Sequence, residues 1–365
     1  MNHTMLRAAA RAAFAGLALA FSIASLAATV YAQTNAADTN EVQIYQSTSD
    51  GTLALATQVA TGGHGTGAGL GNQGALVLSE DQRWLFAVNA GSNDISSFAV
   101  ADDGLLTLVD RVASGGTKPV SVTTRGGVLY ALNAGGTGNI AGFAVEPNGR
   151  LAPIAGSSRP LSSNNAGAAQ IGFDRGGEAL VVTEKNTEKL DLYDVADGLA
   201  RGPFVHASNG AEPFGFAFDR RGDLIVSEAA GGAANGSTVS SYDIDEPRTL
   251  AVISGSVPTH QTAACWIVIG GGGRFAYSTN TGSGTITGYR IARGGELAPL
   301  NADGVTGVTG GAPTDAAASP DGETIYVLVG SIGQIVAFHI NSDGSVTRLG
   351  RTPGAPATAT GLAAR

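Results

Sequence analysis

The sequence predicts an all-β protein, a seven-bladed β-propeller of four-stranded antiparallel blades. Three observations support this prediction: a unit that recurs along the chain, a composition rich in glycine and poor in charge, and incomplete units at the two ends that complement each other. The 365 residues include 54 glycines, and only 14% of the residues are charged. Such a composition favours tight turns over charged, water-facing helices, so we expect a core built from strands.

The repeating unit is clearest at 74–116. There, turn residues such as Asp103-Gly104 separate four short apolar runs, at 75–78, 84–88, 95–100 and 105–112. Such runs, bounded by turn residues, are typical of short strands. Further copies begin near residues 118, 168, 213, 262 and 313. Six complete copies, spaced by about 45 to 50 residues, match the period of propeller blades.

The chain begins and ends within a unit. Thr29–Asn35 matches a second strand, and 42–45 and 53–59 match a third and a fourth strand. Pro356–Arg365 resembles a first strand with nothing after it. We expect these pieces to pair in one composite seventh blade, which closes the ring and removes exposed strand edges.

The hairpins between third and fourth strands share a two-residue signature, at Asp50-Gly51, Asp103-Gly104, Asn148-Gly149, Asp197-Gly198, Gly294-Gly295 and Asp343-Gly344. Such pairs supply the positive φ angles of tight hairpins. We therefore interpret these aspartates as turn residues rather than calcium ligands. The glycine-rich segment 69–74 fits a dinucleotide-binding pattern formally, but it precedes a strand and is interpreted as a loop. We expect neither a metal nor a cofactor.

Residues 1–27 are predicted to be a signal peptide. Arg7 and Arg11 precede an apolar run at 12–27, which is shorter than the roughly 20 residues of a spanning helix. Cleavage could follow Ala27 or Ala32, and we favour Ala27 because a cut after Ala32 would destroy a predicted strand. An uncleaved membrane anchor is the alternative. Residues 28–365 are then one domain, expected as a monomer in the periplasm or outside the cell.

Charge and cysteine content narrow the possible partners. The chain has 21 Lys and Arg against 30 Asp and Glu, for a net charge of −9. Nucleic acid and anionic membranes are therefore disfavoured as partners, and a small molecule is expected instead. The single cysteine, Cys265, excludes an intramolecular disulfide. We interpret it as a buried structural thiol, with a reactive thiol as the alternative.

Candidate site residues appear when the units are aligned. The second strands are predicted to end, in order, at Asn35, Asn89, Asn133, Glu184, Glu228, Asn280 and Gly330. Asparagine is explained by its turn-forming tendency, but glutamate is a poor turn former. We expect Glu184 and Glu228 to lie side by side at the channel mouth, where proximity raises at least one carboxyl pKa. The alternative is a solvated rim, with Lys185 next to Glu184.

Glu228, Glu184 and His260 are accordingly the candidate catalytic residues. The candidate ligand-binding residues lie at the same strand ends or in loops that enter the inner strands: His64, Asn89, Asn133, Asn280, Gln261 and Lys118. Those loops also contribute Asn72, Gln73, Glu212 and Asp315, which we expect to be mostly ordinary surface residues. No local histidine spacing supports a metal cluster.

Several stretches resemble a known family, namely LSEDQRWLFAVNAGSNDISSF, FDRRGDLIVSEAAGG, YSTNTGSGTITGYRI and SPDGETIYVLV. Over 29–365 the chain resembles the lactonase family of seven-bladed propellers, of the 6-phosphogluconolactonase and carboxymuconate-cyclase type. The resemblance implies ring-opening or closure of a lactone, without a required metal, at one mouth of the channel.

The chain departs from this family at two motifs. Family enzymes have Pro-His-x-His where this chain has 165–169, NAGAA, and Asn-Arg where it has Asn280-Thr281. These departures argue against a phosphorylated sugar lactone. Two hypotheses remain open: an exported lactone hydrolase in which Glu228 acts as general base, or a propeller that binds a small molecule, glycan or protein without turnover.

Overall fold

The computed structural model of the chain describes residues 28–48, 52–244 and 248–365. The predicted signal peptide lies outside this part of the chain, as do the Asp50-Gly51 turn and residues 245–247. The described residues form seven antiparallel sheets, which confirms the predicted all-β, seven-bladed propeller. Each sheet runs from an inner first strand to an outer fourth strand, and inner strands of neighbouring blades contact one another around the ring.

The strand bounds follow the repeat. Blade 1 contains β1 (Thr29–Gln33), β2 (Glu41–Ser47) and β3 (Leu53–Ala60), and blade 2 contains β4 (Leu76–Leu78), β5 (Trp84–Asn89), β6 (Asp94–Val100) and β7 (Leu106–Ala113). Blade 3 contains β8 (Pro119–Arg125), β9 (Val128–Asn133), β10 (Asn139–Val145), and the short β11 (Leu151–Pro153) and β12 (Arg159–Pro160). Blade 4 contains β13 (Ala168–Phe173), β14 (Ala179–Glu184), β15 (Lys189–Ala196) and β16 (Leu199–Ala207).

The remaining blades repeat this order. Blade 5 contains β17 (Pro213–Phe218), β18 (Leu224–Glu228), β19 (Thr238–Asp243) and β20 (Ala251–Pro258). Blade 6 contains β21 (Ala264–Gly270), β22 (Phe275–Asn280), β23 (Thr285–Ile291), β24 (Leu297–Pro299) and β25 (Gly307–Val308). Blade 7 contains β26 (Asp315–Ala318), β27 (Thr324–Val329), β28 (Gln334–Ile340) and β29 (Val346–Pro353), and short 3-10 turns occur at Ala230–Gly232 and Gly330–Ile332.

The last strand, β30 (Leu362–Ala364), completes blade 1 as its inner strand. It pairs antiparallel with β1, with Ala364 opposite Val30 and Leu362 opposite Ala32. Asp315, at the start of β26, strengthens this closure because its Oδ2 accepts a hydrogen bond of 3.0 Å from the backbone N–H of Leu362. Burial raises the pKa of Asp315 to about 8. The predicted composite blade is confirmed.

Apolar side chains fill the interfaces between blades. Among the described residues, seven buried clusters join neighbouring blades, and the one between blades 6 and 7 also includes Ala169 and Phe214 from blades 4 and 5. Leu85 of blade 2, for example, packs with Tyr31 and Ile44 of blade 1. Because side chains alternate along a strand, every second residue of a second strand faces the preceding blade. This alternation decides where the polar strand-end residues point.

The hairpin prediction agrees with the geometry. Gly104 has a φ of +82°, and a Cβ at this position would lie 2.6 Å from Oγ1 of Thr29. Asp103 Oδ1 accepts a hydrogen bond of 3.0 Å from the N–H of Leu105, as a turn residue does. The outer strands also carry bulges, such as the one at Ala56 of β3, opposite Ile44 and Tyr45 of β2. Such bulges interrupt the outer edge of a blade.

Two strand ends differ from the prediction by a small register error. β1 ends at Gln33 rather than Asn35, and β27 ends at Val329 rather than Gly330. The residue of blade 1 that is equivalent to Asn89 is Thr34, because Thr34 bonds Glu41 as Asn89 pairs with Asp94. Among the described residues, no helix is long and apolar enough to cross a membrane.

Candidate functional site

One face of the ring, which we call the top face, carries the connections from the second to the third strand within a blade and from each fourth strand to the next blade. The predicted site residues all lie on connections or strand ends of this face. The structure divides them into two groups. The residues that end second strands are buried between blades, whereas most of the loop residues are exposed.

Asn89 and Asn280 show the role of the strand-end position. Nδ2 of Asn89 donates to Asp94 and Ser96 on the third strand, and its Oδ1 accepts from Asn40 and Thr61 of blade 1. Nδ2 of Asn280 donates to Thr285 and Thr287 in the same pattern. Asn133 donates to the carbonyl of Ser114, in the loop from blade 2. Asn89 and Asn133 thus connect neighbouring blades, whereas the hydrogen bonds of Asn280 stay within blade 6. All three amides are buried and do not line the channel mouth.

Glu184 occupies the same position in blade 4 and faces blade 3. Its carboxylate accepts hydrogen bonds from the backbone N–H of Ser162 (2.9 Å), the hydroxyl of Ser162 (2.5 Å) and the hydroxyl of Thr187 (2.5 Å). Its carboxylate neighbour is Asp191 of the adjacent strand β15, which shares the Ser162 N–H. Burial, followed by the hydrogen bond and charge of Glu184, raises the pKa of Asp191 well above its usual range.

Glu228 lies in the next interface, with its side chain facing blade 4. One carboxylate oxygen accepts from the N–H of Gly210 (2.9 Å), the hydroxyl of Ser240 (2.6 Å) and the hydroxyl of Tyr242 (3.4 Å), and the other accepts from the hydroxyl of Thr238. Glu228 shares this face of β18 with Leu224 and Val226, which pack on blade 4.

The expectation that Glu184 and Glu228 form a pair at the channel mouth is therefore wrong. Glu184 lies in the interface between blades 3 and 4, and Glu228 lies in the interface between blades 4 and 5. The sheet of blade 4 therefore separates the two carboxylates. Both residues are fully buried, which also contradicts the solvated-rim alternative. His260 is not among the hydrogen-bond partners of Glu228; it is exposed, with a φ of +56°.

The loop before β4 closes the channel itself. Oε1 of Gln73 accepts from the N–H of Ile267 (3.1 Å), and its Nε2 donates to the carbonyl of Ile267 (2.9 Å). Nε1 of Trp266 donates to the carbonyl of Asn72 (2.8 Å). We call Asn72, Gln73 and Trp266 the channel plug. A Cβ at Gly215 would lie 2.1 Å from Oε1 of Gln73, so only glycine fits beside the plug.

The plug also joins blades that are not neighbours. The side chain of Asn72 donates to the carbonyl of Val120 in blade 3 and accepts from the hydroxyl of Thr360, just before β30. The N–H of Gln73 donates to the carbonyl of Ala169 in blade 4. Asn72 and Gln73, which the sequence analysis treated as mostly surface, are thus structural residues of the channel.

Lys185 lies over the plug at the channel mouth. Its ammonium donates to the carbonyl of Gly71 and lies 4.9 Å from the centroid of the Phe214 ring. Burial lowers the pKa of Lys185, the charge of Glu212 opposes this effect, and the charge of Lys118 adds to it.

Burial raises the pKa of the nearby Cys265 to about 11, so this thiol is protonated at neutral pH, as expected of a structural cysteine.

The remaining predicted loop residues are spread around the top face. Nδ1 of His64 lies 2.7 Å from the carbonyl oxygen of Asp38. Gln261 donates to the carbonyl of Asp303 and accepts from the hydroxyl of Thr285, which commits its amide to a loop of blade 6. Lys118 is exposed. No group of three or more His, Cys, Asp and Glu suited to a metal occurs in the described ranges.

A polar cavity opens on the top face between blades 3 and 4, beside the channel mouth. Its volume is about 260 Å³, and we call it the rim cavity. No charged side chain contributes to its lining, which consists of alanines and glycines together with Leu161, Thr137, Ser163, Asn164, Asn165 and Asn186. Nδ2 of Asn186 donates to Oδ1 of Asn165 over 3.2 Å. This wall includes residues 165–168, part of the NAGAA stretch.

Two larger cavities, of about 610 and 420 Å³, lie on the opposite face. The first borders Ala28, where the described chain begins, and the second lies between the turns of blades 2 and 3. Neither contains a residue predicted for the site.

Lys185 and the three asparagines of the rim cavity are not among the ligand-binding residues predicted from the sequence. Lys185 was considered only as a neighbour of Glu184. A signal was available for it, because the chain has just three lysines, Lys118, Lys185 and Lys189, and two of them follow or precede strands at the same face. The asparagines carry no signal, because asparagine is common in turns.

The comparisons with known proteins agree with this architecture. A family model described as lactonase, 7-bladed beta-propeller, matches residues 38–157, about a third of the chain, so the resemblance to that family is confirmed over this stretch. No curated protein matches the chain.

Several solved structures share the fold. A periplasmic gluconolactonase of Pseudomonas aeruginosa is 18% identical, with a TM-score of 0.70 over 92% of this chain and 98% of that chain. A candidate 6-phosphogluconolactonase of Bacteroides fragilis is 16% identical, with a TM-score of 0.71 over 94% and 99%. A protein of Lactobacillus plantarum is 14% identical, with a TM-score of 0.75 over 93% and 99%.

The buried network around Glu228 leads to a stability prediction. Glu228→Gln replaces a carboxylate oxygen with an NH₂ group that faces hydroxyl and N–H donors. We expect the free energy of unfolding to fall by about 1–3 kcal/mol, because a buried donor or acceptor is left unmatched. Chemical denaturation measures this loss. The same change at the exposed Glu146 should leave stability unchanged, and a Glu228→Gln protein that is fully stable yet impaired in ligand handling would restore a catalytic role.

Proposed function

We propose that this lactonase-like propeller is an exported protein. It binds a sugar-sized, hydroxyl-rich ligand in the rim cavity. The observation that carries the proposal is the lining of that cavity, in which side-chain amides and backbone groups converge without any charged side chain. Drug-sized ligands occupy cavities of about 300–1,000 Å³, so a cavity slightly below this range suits a six-carbon sugar or sugar lactone.

The chemistry of the lining supports this ligand class. An amide offers two donors and an acceptor with two lone pairs, which matches hydroxyl groups that both donate and accept. A phosphate group would need cationic donors, and the lining supplies none. The cavity therefore fits the hydroxylated part of a sugar better than a sugar phosphate.

Ring-opening of a lactone is the second candidate function. The fold shared with the gluconolactonase of Pseudomonas aeruginosa favours it. Glu184 and Glu228 are poorly placed to act as bases, since their carboxylates are buried and bonded within blade interfaces. Turnover at this site would depend on amide donors that stabilise the developing negative charge on the lactone oxygen.

The burial of β1, the second strand of blade 1, favours cleavage of the leader after Ala27 over cleavage after Ala32. All five residues of Thr29–Gln33 are buried, and the N–H of Thr29 donates to the carbonyl of Arg365. A cut after Ala32 would remove four of these five residues and leave β2 and β30 without the strand that lies between them. The similar Pseudomonas aeruginosa protein is periplasmic by its description.

We expect the protein recovered outside the cytoplasm of an expressing host to begin at Ala28, which intact-mass spectrometry can establish. Recovery only as a chain that retains residues 1–27, or as a folded chain beginning at Gln33, would contradict this assignment.

Calorimetry with D-glucitol and rate measurements with D-glucono-δ-lactone test the function. We expect glucitol to bind, and the double variant Asn165→Ala/Asn186→Ala to weaken binding by about 30-fold, because it removes two amides whose hydrogen bonds are worth about 1 kcal/mol each. Asn341→Ala, on the opposite face, is the matched control. Release of protons from the lactone above the spontaneous rate, lost in the double variant, would establish turnover. Absence of both binding and turnover would refute the proposal.

A further inference from the structure

The ammonium of Lys185 has unused hydrogen-bonding capacity. A lysine ammonium has three N–H donors, and within the part of the chain that the structure describes, one of them bonds the carbonyl of Gly71. The side chain is held in place by its contact with the ring of Phe214, 4.9 Å from the centroid. The remaining donors have no protein acceptor there, so they are available to a ligand.

The channel mouth is a local positive site on an acidic protein. The charges of Glu212 and Lys118 both act on the ammonium of Lys185, and two lysines with one glutamate carry a net charge of +1. The whole chain has a net charge of −9. A confined positive site on a negative surface attracts an anion to one place and excludes it elsewhere. Burial lowers the pKa of Lys185, and a bound anion would oppose this shift.

Lys185 is directly connected to the wall of the rim cavity. Its backbone N–H donates to the carbonyl of Gly167, and the N–H of Asn186 donates to the carbonyl of Ala166. Gly167, Ala166 and Asn186 all line the cavity. The side chain of Lys185 reaches the channel mouth, and the side chain of its neighbour Asn186 reaches the rim cavity. Two consecutive residues therefore place a cation at the mouth and an amide in the cavity beside it.

We propose that Lys185, assisted by Lys118, forms a carboxylate-binding subsite next to the rim cavity, so that the preferred ligand is a sugar acid. This inference rests on the proposed function, because the cavity holds the hydroxylated part of the same molecule. A charge-assisted hydrogen bond from the ammonium holds the carboxylate. A dianionic phosphate is less suitable, because Glu212 leaves the mouth with a single net positive charge.

The test compares D-gluconate with D-glucitol by calorimetry, because the two share a six-carbon hydroxylated chain and differ at one end, carboxylate against CH₂OH. We expect gluconate to bind about tenfold more tightly than glucitol at low salt, since hydrogen bonds to charged groups exceed neutral ones in strength. The difference in affinity between gluconate and glucitol should shrink in about 0.5 M salt, because salt screens the attraction between the ammonium and the carboxylate. Lys185→Met should abolish it, while glucitol binding is retained.

Lys189→Met is the matched control, because Lys189 belongs to the same blade and its loss changes the net charge equally. Lys118→Met provides a second variant at an exposed position, in case Lys185→Met fails to fold. Equal binding of gluconate and glucitol to the parent protein, or an unchanged preference in Lys185→Met, overturns the subsite. Tighter binding of 6-phosphogluconate than of gluconate overturns the carboxylate assignment. If neither probe binds, the proposed function fails and the subsite with it.

Discussion

The channel plug is the interaction on which the rest of the structure depends. Asn72 and Gln73 belong to the loop that leads into blade 2, yet they bond inner-strand residues of blades 3, 4 and 6 and the segment before β30. A propeller without disulfides must hold its ring together by packing and hydrogen bonds alone. Here the plug connects blades across the ring, while the pairing of β30 with β1 connects them around it.

Closing the channel changes where a ligand can bind. The inner strands of a propeller surround a central channel that could hold a small molecule. In this chain the channel plug and the ring of Phe214 occupy that channel. Polar groups that could meet a ligand are therefore confined to the rim. The rim cavity and Lys185 are the part of the top face where amide donors, acceptors and a cation with free donors meet.

The fold could be predicted from sequence because its signals are local. Apolar runs, Asp-Gly turns and the incomplete terminal units each depend on a few neighbouring residues. In blade 2 the predicted strand bounds agree with those of the structure within one or two residues.

The position of the site could not be predicted in this way. Whether Glu228 faces the channel or a neighbouring blade depends on strand parity and on partners such as Gly210, 18 residues away. The two glutamates depart from the asparagine pattern, yet they too serve the blade interfaces, because their buried carboxylates accept hydrogen bonds from groups such as Ser162 for Glu184 and Ser240 for Glu228.

The most direct test of the account is the solvent exposure of Trp266. The chain has two tryptophans, so Trp84→Phe leaves Trp266 as the sole tryptophan, which is excited selectively at wavelengths too long for tyrosine to absorb. The account predicts blue-shifted fluorescence that acrylamide quenches weakly, with and without gluconate, because the indole is buried and bonded to Asn72. Red-shifted emission with strong quenching in the folded protein would show an open channel and contradict the placement of the ligand site at the rim.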